Sequence, residues 1–156
     1  MFIVNTQNTI AYWSALSAGF LHEAEQDFDI KRWHSCVKHS WLVLEGAGNS
    51  VLALFGIPSK THDPAREIAT LLRSRELPDP AGRKLLSLLP ALLALDYSDH
   101  LLAENGDEAT HTPPWDLFDE ASATEALEAA RASVEGAKAV IAAVETWRNE
   151  RNPDRP

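Results

Sequence analysis

Apolar residues recur at three- and four-residue steps along most of this chain, and no segment shows the strict alternation of a half-buried strand. Ile10, Trp13, Ser17, Phe20, Leu21, Ala24 and Phe28 form one stripe, which predicts a first helix capped by Asn5 or Thr6 and ending near Ile30. A second helix is expected over 31–55, with Val37, Trp41, Leu44, Gly48, Val51, Leu52 and Phe55 on one broad face. It is too apolar for a surface, so other segments must wrap it. Gly46, Ala47, Gly48 and Ser50 would let another backbone approach closely, the usual reason to accept glycine inside a helix.

Gly56 stands where a C-terminal cap belongs, and Pro58 forbids simple continuation. Asp63 as cap and Pro64 in the first turn then start a third helix over 64–75, with Ile68, Leu71 and Leu72 inward. Leu77-Pro78-Asp79-Pro80 reads as a turn rather than a domain boundary. A Leu-rich fourth helix over 80–104 follows, which Pro90 should kink or split. From Glu104 to Glu120 the periodicity is lost, and a loop of that length is often functional or packed on its own aromatics. An Ala-rich helix over 121–148 closes a single domain, 1–148, and residues 149–156 read as a disordered tail. The class is all-α.

At 156 residues the chain can bury a real core, and its 45% apolar and 24% charged content is ordinary for a soluble protein. A single cysteine, Cys36, excludes an internal disulfide and fits a reducing compartment. No signal peptide and no run of about 20 apolar residues is evident, so a cytoplasmic location without a membrane span is expected. The net charge of −9 is uneven. Residues 1–30 and 85–156 are acidic, whereas 31–84 carry more Lys and Arg than Asp and Glu. A basic middle can hold a phosphate locally even though the whole chain repels bulk nucleic acid.

The polar residues of the central stretch are the ones a bland core helix would not choose: Arg32, His34, Lys38, His39, Glu45 and Asn49. A buried carboxylate left unpaired costs several kcal/mol. Glu45 should therefore meet His62, an arginine or backbone N–H groups. His34 and His39, five residues apart, point away from each other and do not form a zinc pair. No metal site, phosphate-cradling glycine loop or cofactor signature is expected. Trp115, in the long loop, is the best-placed tryptophan for exposed stacking.

Several strings resemble, in order and spacing, the HEPN domain. They are Ala24-Glu25-Gln26-Asp27-Phe28, Arg32-Trp33, Glu45 with Ala47, Leu52-Ala53-Leu54-Phe55-Gly56, Thr61 to Pro64, and Gly106-Asp107-Glu108-Ala109 followed by Pro113-Pro114. The resemblance covers roughly residues 8–147. It implies a five-helix, mostly antiparallel bundle, homodimeric, from a family with two lines of business. Some members are metal-independent ribonucleases with an Arg-x4–6-His motif. Others are non-catalytic nucleotide- or RNA-binding or interaction modules, often partners of small nucleotidyltransferases in toxin–antitoxin-like pairs. Glu104-Asn105 replaces the Arg-Tyr of many relatives, and Asn49 stands for a mid-helix lysine. Both changes remove positive charge from where RNA phosphate would sit, and the non-catalytic branch is the one implied.

The alternative rests on Arg32 and His39, an Arg-x6-His pair nearly two helical turns apart, about 10 Å along the axis. Arg32 could hold a phosphate oxygen while His39 serves as acid or base. For a nucleotide- or phosphate-binding role the candidates are Arg32, His39, Glu45 and His62.

Overall fold

The computed structural model describes residues 6–57, 61–75 and 77–153. All regular structure among them is helical, apart from an isolated bridge between Asp107 and Thr112. The first two helices, α1 (Thr6–Asp29) and α2 (Trp33–Leu54), are joined by three residues and pack along each other as a hairpin. Lys31 turns the chain with φ 60°, so that Arg32 N–H reaches the Asp27 carbonyl and Lys31 N–H that of Phe28. Asn5, one of the two expected caps of α1, lies outside the described residues, and Thr6 is already helical.

Most of α2 is buried, as a helix wrapped by others must be. Its core side chains include Val43, Leu44, Val51 and Leu52, which join Leu85 and Leu88 of α4 (Ala81–Leu92) and Ala130 and Val140 of α7 (Glu120–Arg151). The two glycines of α2 mark its closest neighbours. A Cβ on Gly46 would lie 3.2 Å from Ser17 of α1, and one on Gly48 would lie 2.4 Å from the Pro64 ring. At its C-terminus, Gly56 N–H bonds Ala53 O and Ile57 N–H bonds Leu52 O, the paired cap that closes helices. Arg148, near the end of α7, donates to the Leu54 carbonyl at 2.9 Å. Pro58, expected to block continuation, lies outside the described residues.

The third helix, α3 (Pro64–Ser74), begins as expected, with the Asp63 carboxylate accepting from Arg66 N–H and Pro64 at the first position. The expected fourth helix is two. Pro90 remains inside α4, and the break comes later, at Leu93–Asp96. There Asp96 accepts from Asp99 N–H while the Asp99 carboxylate accepts from Asp96 N–H, a reciprocal cap that nucleates α5 (Tyr97–Asn105). The following loop is built rather than slack. Asp107 and Thr112 exchange both backbone hydrogen bonds, and one helical turn, α6 (Pro114–Leu117), precedes the Asp119 cap of α7. The described residues thus form an all-α bundle of seven helical segments, since the fourth of the five expected helices is two and the loop adds a single turn.

The last helix runs to Arg151, three residues beyond its expected end, and the tail from Asp154 lies outside the described residues. Residues Ala81–Asn105 have the length and mean composition of a membrane span, although they contain no uninterrupted apolar run of that length. The segment is nonetheless broken at Leu93–Asp96, and Leu85, Leu88 and Leu92 pack on the core.

Candidate functional site

Two clusters collect the polar residues of α2, on different neighbours. In the first, Arg32 caps the helix from outside it, and its guanidinium turns back to Asp27, 3.8 Å away. His39 meets the same carboxylate: its Nδ1 lies 2.7 Å from Asp27 Oδ2 and its Nε2 3.0 Å from Glu23 Oε2. Phe20 stacks on the ring. Arg32 and His39 are therefore brought together, but through a largely buried acid of α1. Two acids near the end of α1 are thus answered, Asp27 by Arg32 and more closely by His39, and Glu23 by His39. Glu23 and Asp27, four apart on one face of α1, were the missed partners. A phosphate between Arg32 and His39 would have to displace Asp27, which already occupies that place.

Lys38, the next cation along, is also engaged. Its ammonium is 3.7 Å from Glu104, which also lies 3.4 Å from His100 Nε2. Glu104 thus puts negative charge beside Lys38.

The second cluster surrounds an open cavity of about 400 Å³ between α2, the start of α3 and the α4–α5 break. Glu45 is 4% exposed, and its Oε2 lies 2.8 Å from His62 Nδ1. This pairing supplies the partner that burial of the carboxylate demands. Asn49, one turn further on, holds the backbone beside His62. Its Nδ2 donates to Thr61 O at 3.0 Å and to Glu45 O at 2.9 Å, while its Oδ1 accepts from Thr61 N–H at 3.1 Å. A lysine could donate here but could not accept, which gives asparagine a positive reason at this position. The Thr61 hydroxyl accepts from Asp63 N–H, and Asp63 caps α3, so one chain of hydrogen bonds runs from α2 to the start of α3.

Four rings wall this cluster. Trp41 stacks on His100 at 4.4 Å and lies 5.5 Å from Tyr97, which stacks on His62 at 5.0 Å. Trp41 and Tyr97 line the cavity, and Leu44, Leu92 and Leu95 supply an aliphatic wall. Tyr97 was missed because a continuous fourth helix hid its place after the Asp96 cap. Trp41, by contrast, was legible as lying four residues before Glu45, on the same face.

Burial holds the His100 imidazole below its ordinary pKa, against the opposing pull of Glu104, and its Nδ1 is buried with no hydrogen-bond partner among the described residues. His34 is lowered too, by burial and then by the Arg32 charge. It meets Trp115 edge-on at 6.2 Å, and Trp115 is 65% exposed. Asp96 is held below the usual carboxylate range by the Ser98 hydroxyl and the Asp99 N–H. Burial pushes the Cys36 thiol up to about 11, an inert setting. Among the described residues, no group of three or more His, Cys, Asp or Glu side chains is placed to hold a metal ion. Comparison of the chain with protein-family models, with curated proteins and with solved structures gave no match.

Proposed function

We propose that this chain is a non-catalytic binding module of HEPN type whose ligand enters the cavity beside Glu45 and His62. The observation that carries the reading is that cavity: a buried Glu45 carboxylate paired with the exposed His62 imidazole, next to Trp41 and Tyr97, on a rim fastened to α2 by Asn49. Its volume of about 400 Å³ is in the range of small-molecule sites. The resemblance adds a small nucleotidyltransferase as the kind of protein such a module accompanies.

Absence of catalysis is supported at Arg32 and His39. Both nitrogens of His39 lie against carboxylates, and a general acid or base must instead be within reach of a substrate proton. The test is a metal-free RNA cleavage assay on the wild type beside Arg32→Ala and His39→Ala. RNA should stay intact with all three proteins. Cleavage by the wild type that both variants lose would overturn the reading in favour of a ribonuclease.

A further inference from the structure

The cavity walls are of two kinds. Leu44, Leu92 and Leu95 supply aliphatic lining, and Trp41 and Tyr97 add aromatic rings. Three of the lining residues are carboxylates, Glu45, Asp63 and Asp96, whereas no lysine or arginine lines it among the described residues. Glu45 is held by His62, but Asp63 and Asp96 are exposed at the rim. Their caps use the carboxylates as acceptors and leave the negative charge in place. A concave wall of one sign concentrates counter-ions of the other, and aromatic rings favour cations over anions. A phosphate would meet like charge and find no lysine or arginine among the described lining, and the one imidazole there, His62, is already turned to Glu45.

We infer that the cavity takes a small organic cation with an aliphatic stem, an alkylammonium or alkylguanidinium, its stem along the leucines and its head between the aromatic rings and the rim carboxylates. The inference rests on the binding-module reading and names the chemistry of that site. It departs from a nucleotide or phosphate ligand there. The same chemistry has two sources, a free amine or the Lys or Arg side chain of a partner, and the cavity's volume admits either.

Calorimetric titration of the full chain with agmatine, pentylammonium, Nα-acetyl-argininamide, hexanoate and ATP decides the matter. Agmatine and pentylammonium should bind saturably, and hexanoate, of similar length but opposite charge, should not. Asp96→Asn keeps a capping side chain and removes a charge, and should weaken cation binding about three- to tenfold. Tyr97→Ala, at a half-exposed position, should weaken it comparably without disturbing the core. Nα-acetyl-argininamide binding as tightly as agmatine would support the inference with a partner side chain as the source; agmatine binding alone would support it with a free amine. Hexanoate or ATP binding that Tyr97→Ala abolishes would overturn the cation inference and leave the binding module standing. If no probe binds, both fall.

Discussion

Gly48 shows how much one missing methyl can hold in place. Its absent Cβ makes room for the Pro64 ring, which starts α3 and follows directly on His62 and Asp63. Gly48→Ala gains helix propensity of about 1 kcal/mol, but forces a Cβ to within 2.4 Å of proline carbon that cannot rotate away. Overpacking costs about 1–3 kcal/mol. The net expectation is a loss of up to about 2 kcal/mol, read as a melting temperature lower by up to about 8 °C. An unchanged or raised melting temperature would show that α3 shifts freely. The sequence already said that glycine here needed a close neighbour, but not which one, because the partner comes from a helix sixteen residues on. Glu45 and His62 were likewise legible as partners, since a buried carboxylate allows few alternatives. Tyr97 and His100 were not, because no pattern along the chain says which ring will stack on Trp41.

At the scale of elements, caps decided where helices start and end more than apolar stripes did. The stripes placed α1, α2 and α3 well, and Asp63-Pro64 marked the start of α3 to the residue. The α4–α5 region misled because Leu residues run through it and Pro90 drew the break to itself. The Asp96–Asp99 reciprocal cap, an Asp-x-x-Asp spacing visible in the chain, is what starts the new helix. The α1–α2 turn carries its own cost. Lys31 holds φ 60°, a conformation that costs a residue with a Cβ about 1–2 kcal/mol. Lys31→Gly relieves that strain and loses some through unfolded-state entropy. A gain of about 0.5–1 kcal/mol is expected, visible in thermal unfolding followed by circular dichroism. A loss would mean that the Lys31 side chain contributes more than its backbone costs.

For the molecule as a whole, two half-buried imidazoles give stability a pH dependence near neutrality. His34 and His100 both sit below the usual 6.5, so the unfolded chain takes up protons there that the folded chain refuses. Their contribution is complete above that pH and is lost as pH falls below it, toward their folded values. Asp96 and Asp119, held below the usual 3.8, lose theirs only in stronger acid. The melting temperature should therefore fall between about pH 7.5 and about pH 5.5, and His100→Phe, which keeps a ring on Trp41, should shrink the fall. A variant with the full wild-type slope would remove His100 from this account.

The hydrogen bonds from Asn49 to Thr61 reach further than the residues they join. A segment that borders a binding site commonly trades disorder for contacts when its ligand arrives, and affinity is lowered by that ordering. Here both backbone groups of Thr61 are already satisfied by a side chain of the most buried helix. The rim therefore has its shape before any encounter. A ligand entering as proposed would meet a standing mould, the backbone entropy at Thr61 having been surrendered to folding rather than to binding.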